Sequence, residues 1–384
     1  MGLAVIASVS AGLWLLLRPV APPDPRATVS ELTDNTSVNS SAFKRAIAPV
    51  DFVFPRDHGP HPDFQTEWWY YTGNLTDPNG RHFGYQLTFF RRALLPAADI
   101  PERSSQLAAS QLYFAHFAVT DAGAGRHMAV ERFSRGAGHL ADAGGNPIKV
   151  YLENWSATDL NNEGTAVRLS AQDGAYGIAL DLNSSKPIAL HGNHGLSAKS
   201  AEPGNASYYY SFTRMESTGS IQTPDGTYAV TGQSWMDHEW STSALGPNAR
   251  GWDWFALQLS DQRELMLYRF RNMDGSIDAV SGGTVVLPDG STQILQRDQI
   301  QIDVQSTWRS LDNGAEYPSR WRIRIPDADI DLIVEPRIND QQNNLSIVYW
   351  EGAVKVSGTS HQAAVEGVGY VELTGYLSSI NGKF

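Results

Sequence analysis

From Val50 onward the chain alternates. Runs such as "HFGYQLTFF" (82–90), "LYFAHFAVT" (112–120), "AVRLSA" (166–171) and "GIALDL" (177–182) set apolar against polar or small residues at successive positions, the period of a strand. "SYYYSFTRM" (207–215) and "YAVTGQSWM" (228–236) follow. The second half repeats the style in "WFALQLS" (254–260), "ELMLYRF" (264–270), "GTVVLP" (283–288), "WRIRIP" (321–326), "IDLIVEP" (330–336), "LSIVYWEGAVKVSG" (345–358) and "GVGYVELTGY" (367–376). Turn signals separate the runs, Asp77-Pro78-Asn79-Gly80 and Pro224-Asp225-Gly226 among them. Residues 97–110 read as one short helix or a lid loop, and helix is otherwise scarce. The pattern predicts an all-β chain of closely spaced antiparallel strands, hence sandwiches or closed barrels.

An internal repeat favours two related barrels. "WYYTGNLTD" (69–77) followed by "GYQLTFFR" (84–91) parallels "DWFALQLSD" (253–261) followed by "ELMLYRFR" (264–271). "VYLENWS" (150–156) resembles "VYWEGAV" (348–354), and "VTGQSWMDHEW" (230–240) resembles "VEGVGYVELTG" (365–375). The expected organisation is a first domain over 50–246 and a second over 247–384, with the boundary at Pro247. Where the first copy carries Asp237-His238-Glu239, the second has Glu372-Leu373-Thr374. The polar set therefore reads as an addition to the first copy, which is where chemistry is expected.

The start of the chain differs in kind. "GLAVIASVSAGLWLLL" (2–17) is uncharged and would span about 24 Å as a helix, short of a hydrocarbon core but right for a signal-peptide core or a short anchor. Residues 1–18 are thus expected to be a signal peptide or N-terminal membrane anchor, and 19–49, rich in Pro, Ser, Thr and Asn, a linker. An exported protein follows, periplasmic, secreted or anchored, touching membrane only through that segment. The net charge of −12 and the lack of a basic stripe exclude a nucleic-acid binder. With no cysteine, thiolate nucleophiles and cysteine-ligated metals are excluded too.

The densest titratable cluster lies in "SWMDHEWS" (234–241). Period two puts Trp235, Asp237 and Glu239 on one face and Met236, His238 and Trp240 on the other. A bulge or strand end would let Asp237 and His238 converge on one site. The structural alternative is a hydrogen-bonded core histidine with its neighbouring carboxylates in solvent. A second cluster, "FPRDHGPHPDFQTEWWYYTG" (54–73), carries Asp57, His58, His61, Asp63 and Glu67 ahead of Trp68, Trp69, Tyr70 and Tyr71. Its prolines make it a rigid loop feeding a strand. His58-x-x-His61 lacks a defined third ligand, so no metal is assigned. Glu67 could pair with His238 or Arg91. In "RGWDWFALQL" (250–259), Trp252 and Trp254 share a face opposite Asp253. His116, alternating with Phe114 and Ala118, reads as interior facing and satisfied in a core. The string Gly232-Gln233-Ser234-Trp235-Met236 fails the nucleophile-elbow pattern, and His238-Glu239 is not followed by the second histidine of a zinc protease. No phosphate loop or dinucleotide fingerprint occurs.

On "FPRDHGPHPDFQTEWWYYTGNL", "SWMDHEWS" and "GWDWFALQL", the chain resembles the AttH-like proteins, the lipocalin-like group that includes carotenoid 1,2-hydratases, kievitone hydratase and predicted secreted hydrolases. The resemblance covers about residues 50–380. It implies a tandem pair of lipocalin-like antiparallel barrels with little helix, and water addition to, or hydrolysis of, a lipophilic polyene, prenyl compound or lipid ester without a cofactor. It carries the family's His and Trp onto His238 and Trp240, with Asp237 beside them, and matches Trp252 and Asp253 to the following strand. Such chemistry needs a proton held ready for carbon and π faces to favour the cation that results. Asp237 is the expected acid, with His238 orienting it or activating water and Glu239 beside them. Trp240, Trp68, Trp69, Tyr70, Glu67, Trp252, Asp253, His116, Asp57 and His58 are expected around the substrate. The competing expectation is a lipophile carrier of the cell envelope, serving an ABC transporter.

Overall fold

The computed structural model describes residues 42–100, 110–144, 147–242, 245–246 and 248–380. The expected leader and most of the linker lie outside these residues, as does Pro247. Of the helix or lid expected over 97–110, the described part is a single 3₁₀ turn at Ala97–Asp99.

Strands are numbered along the chain. The first sheet runs β4 (Arg126–Arg135), β3 (Gln111–Asp121), β2 (His82–Ala93), β1 (Thr66–Thr76), β13 (Gly226–Ser241), β12 (Ala206–Thr223), β9 (Tyr176–Ser184), β8 (Ala166–Asp173), β7 (Trp155–Asp159), β6 (Lys149–Leu152) and β5 (Ala141–Gly144). Two short strands, β10 (Ala189–Leu190) and β11 (Leu196–Ala198), pair with β12. The second sheet runs β17 (Thr292–Gln296), β16 (Gly282–Val286), β15 (Glu264–Asn272), β14 (Ala249–Leu259), β23 (Ala363–Leu373), β22 (Val348–Ser360), β20 (Ile330–Pro336), β19 (Glu316–Ile325) and β18 (Gln301–Arg309), with β21 (Gln342–Asn344) on β22. Every pairing is antiparallel. The first sheet curls until β6 packs against β2, β3 and β4. The result is two curled, nearly closed sheets, an all-β pair of barrel-like halves.

The two sheet orders match strand for strand from β4 to β7 and from β17 to β18, and so does the register. Tyr70 stands opposite Asp237 and Thr88 in the first sheet; Trp254 stands opposite Glu372 and Tyr268 in the second. The glycines repeat as well. A side chain on Gly232 would press onto the backbone of Asn74, and one on Gly367 onto that of Gln258, the equivalent residue. One of the three sequence matches is wrong. "VYLENWS" lies in β6 and β7, whereas "VYWEGAV" lies in β22, whose counterpart is β12. The Val-Tyr pair recurs because strands favour both residues, not because the two positions correspond.

Three cores result. One lies inside each curled sheet, built on Trp69, Tyr71, Phe117 and Trp155 in the first and on Phe255, Trp321, Trp350 and Leu373 in the second. The third lies between the sheets and includes Tyr70, Tyr209, Trp235, Trp254 and Tyr370. β1, β14 and the second halves of β13 and β23, residues 234–241 and 369–373, are therefore covered on both faces, which is why "EWWYY" and "DWFAL" lack solvent-facing positions.

Candidate active site between the two sheets

β13 is regular where it matters. It pairs with β1 residue for residue from Thr66–Ser241 to Thr76–Thr231, and with β12 without a break from Ser207–Ser241 to Phe212–Met236. Without a bulge, Asp237 and His238 point to opposite sides of the sheet. The expectation that His238 orients Asp237 is thus corrected: the two belong to different environments.

Asp237 and Glu239 face the second sheet and line a cavity between the halves. Empty space there is about 970 Å³, open mouth included. From the first half it is walled by Trp68, Tyr70, Phe90 and Tyr209, and from the second by Trp252, Trp254, Tyr268 and Phe270. Several wall residues are equivalents in the repeat: Trp68 and Trp252, Tyr70 and Trp254, Phe90 and Phe270, Asp237 and Glu372. The second half also brings Glu351 and Tyr349. So the expectation that chemistry lives mainly in the first copy is corrected, because the docked sheets face each other with equivalent surfaces. His116 lines this cavity too, not a barrel interior. Its Nδ1 is 2.8 Å from the Tyr349 hydroxyl and its Nε2 is 2.9 Å from Glu131.

The carboxyls are held differently. Asp237 Oδ1 accepts hydrogen bonds from Ser211 and from Trp235 Nε1 at 2.6 Å. Burial pushes its pKa up to about 7; the donors from Ser211, Trp235 and Tyr209 oppose the shift, and the Glu239 charge adds to it. Glu239 is paired with Lys199 and accepts from Ser207. Glu351 and Glu372 are direct cross-strand neighbours, an arrangement like charges disfavour. Burial pushes Glu372 up to about 7 against a hydrogen bond from Trp252, and Asp237 and Glu239 add to the rise. Burial and then the Glu372 charge put Glu351 well above the carboxylate range. Glu351 Oε1 and the Tyr70 hydroxyl, both buried, have no hydrogen-bond partner. The Tyr70 and Tyr349 hydroxyls nonetheless lie close enough to the Glu351 carboxyl to oppose its rise.

Glu67, Trp69, His238 and Trp240 point the other way, into the first half. Glu67 accepts from Arg91 Nε at 2.8 Å, and its Oε1 lies 2.7 Å from His61 Nδ1 and 2.9 Å from His238 Nε2. Burial opposes the Glu67 charge, but Arg91 and the histidines hold its carboxyl well below the usual range. His238 Nδ1 meets the Tyr210 hydroxyl, which in turn meets His58 Nδ1 at 2.7 Å. Trp69 donates to the His58 carbonyl, and Trp240 stacks on His61 at 3.7 Å. Asp57 accepts from the Val53 amide and from Arg56. The ring of Trp240 is therefore spent on His61 and does not face the cavity. Asp253 is likewise corrected: it is buried on the inner side of the second sheet and bound by Arg269, Arg271 and Tyr376. Among the described residues, one trio has ligand atoms close enough for a metal ion, namely His61, Glu67 and His238. Its members already satisfy one another, with Arg91 as a fourth partner.

Sequence reasoning missed Glu351, Glu372, Lys199, Tyr209 and Tyr349. For Glu372 the signal was present, since the repeat sets it on Asp237.

A family model described as AttH-like matches residues 45–376. The chain belongs to the AttH-like family. The solved structure of an AttH from Nitrosomonas europaea is 33% identical with a TM-score of 0.74, over 86% of this chain and 99% of that one. The structure of kievitone hydratase from Nectria haematococca is similar at 14% identity and a TM-score of 0.65, over 88% of this chain and 98% of that one. At that identity the likeness is one of fold. No curated protein sequence matches this AttH-like chain. Its cavity thus sits in a fold shared along nearly the whole length of both neighbours.

Proposed function

We propose that this AttH-like protein is a hydratase that adds water across a carbon–carbon double bond of a lipophilic polyene or prenyl-type substrate in the intersheet cavity. One observation carries the reading: Asp237 and Glu372, both lifted to about 7, face a cavity walled largely by aromatic rings. A carboxyl there keeps a proton at neutral pH and still releases it readily, as general acid catalysis requires.

In this reading Asp237 gives its proton to one alkene carbon, and the π electrons form the new C–H bond. The positive charge left on the other carbon meets the faces of Trp68 and Trp252 and the carboxylate just formed. Water then forms the C–O bond and loses a proton to a carboxylate, so the acid is restored and the sum is alkene plus water to alcohol. Kievitone hydratase, the fold neighbour, is a hydratase by name, which accords with the reading. An exported location belongs to it as well, supported by the apolar run at residues 2–17.

The test is turnover in ¹⁸O-labelled water with polyenes, prenylated phenols and lipid esters, followed by mass spectrometry. Label in an intact, hydrated product is expected. Label in a cleaved fragment would make the protein a hydrolase instead, and an unreacted bound ligand would make it a carrier.

A further inference from the structure

The charges around the cavity are unequal. Four carboxyls reach it: Asp237 and Glu239 from β13, Glu351 from β22 and Glu372 from β23. Lys199 is the only ammonium or guanidinium among the described lining residues, and it is committed to Glu239. The other titratable groups facing the space are His116, backed by Glu131 of β4, and the hydroxyls of Tyr70, Tyr209, Tyr268 and Tyr349. None of these hydroxyls brings positive charge. Glu351 keeps a buried oxygen without a partner. Around it stand indole and phenyl faces, whose negative π surfaces attract cations.

A neutral hydrocarbon would satisfy the aromatic walls and leave Glu351 and Glu372 as they are, two like groups side by side. A cation would satisfy both walls and carboxyls. We infer that the cavity is a binding site for lipophilic cations, a quaternary ammonium on a hydrocarbon chain seated among Trp68, Trp252 and Trp254 with its charge toward Glu351 and Glu372. For the reaction proposed above, such a ligand copies the charge that develops on carbon, so the inference deepens that reading. The binding itself does not require turnover.

The linkage has a definite sign. A cation favours the ionised carboxyls, so its binding expels protons and must strengthen as pH rises through neutrality. The quaternary probe does not titrate, so the pH dependence belongs to the protein.

The probes are (6-hydroxyhexyl)trimethylammonium and its uncharged isostere 7,7-dimethyloctan-1-ol, measured on the full chain by calorimetry in buffers of different ionisation enthalpy. The ammonium is expected to bind at least tenfold more tightly at pH 8, to gain affinity from pH 6 to 8 and to release protons, while the alcohol does none of these. The double variant Glu351→Gln/Glu372→Gln, which removes charge and keeps shape, is expected to bind both probes alike. Equal affinities in the native protein, a flat pH profile, or a preference that survives in the double variant would overturn the inference. Ammonium preference without turnover of any alkene would leave it standing and remove the hydratase reading. Turnover without ammonium preference would do the reverse.

Discussion

Asp237 and His238 are adjacent in sequence yet sit on opposite sides of a strand, and that separation yields two opposed predictions. Asp237→Asn keeps the hydrogen-bond acceptor for Ser211 and Trp235 but has no carboxyl proton to give. It is expected to lower turnover by roughly 10²–10⁴-fold with little change in melting temperature, as loss of a general acid does. Because the acid must be protonated, native kcat/KM is expected to fall about tenfold per pH unit above a pH near 7, the value to which burial lifts Asp237. A rate that rises across that range would exclude Asp237 as donor. His238→Leu imitates Leu373, its equivalent in the second half. It takes one partner from Glu67 and leaves Arg91 and His61 in place. The expected result is a loss of about 1–2 kcal/mol in urea unfolding, with any lost turnover following the lost folded protein. Full folding without turnover would show that the first-half network reaches the chemistry. Period two alone placed Trp235, Asp237 and Glu239 on one face. What it could not show was that both faces are buried, or that Trp240 is occupied by His61, because that residue comes from a loop remote in sequence.

At the scale of the strand pair, Glu351 and Glu372 are the departure from ordinary sheet design. A buried carboxyl, Glu351, and a half-buried one, Glu372, stand directly opposite each other, and like charges there are destabilising. Glu372 has its folded pKa raised from 4.5 to about 7, burial being the main cause. Between those values the folded chain holds a proton that the unfolded chain has released. Stability from this group is therefore complete below about pH 4.5 and is lost as pH rises through 7. Glu372→Gln should accordingly flatten the decline, adding roughly 1–2 kcal/mol at pH 8 and almost nothing at pH 4.5, as denaturant titrations at the two pH values would read. A variant less stable at pH 8 would mean that the carboxylate is bound by a partner. Most strands of these sheets were legible because their inner faces are apolar. β4 and β18 were not, since β4 is only half-buried along its length and β18, "QIDVQSTWR", is largely exposed. Their residues pair for the sake of the ladder, without an apolar face to announce them.

For the molecule as a whole, the site exists only while the halves stay docked, and the docking is polar as well as aromatic. Lys186, which precedes β10, and Arg214 of β12 reach from the first half to Glu264 of β15, at 2.8 and 2.5 Å. Arg214 also donates to the Leu259 carbonyl, and Gln258 donates to the carbonyls of Thr213 and Ser234. On the other flank, Gln86 and His116 bind the Tyr349 hydroxyl. Neither end of the interface was readable from either copy alone, since each partner becomes buried only by the other. Glu264 is wholly buried, so removing it strands two cations in a dry interface, a change that costs about 3–5 kcal/mol when a buried pair is broken. Glu264→Ala should lower the melting temperature and, because Glu264 is remote from the cavity carboxyls, should damage ligand binding only by loosening the halves. The native chain is expected to unfold in a single calorimetric transition; if the halves are held mainly by this flank, the variant will resolve two. If the single transition persists at lower temperature, the aromatic layer of Tyr70, Trp235, Trp254 and Tyr370 is sufficient to keep the halves cooperative, and the ion pairs set only their alignment.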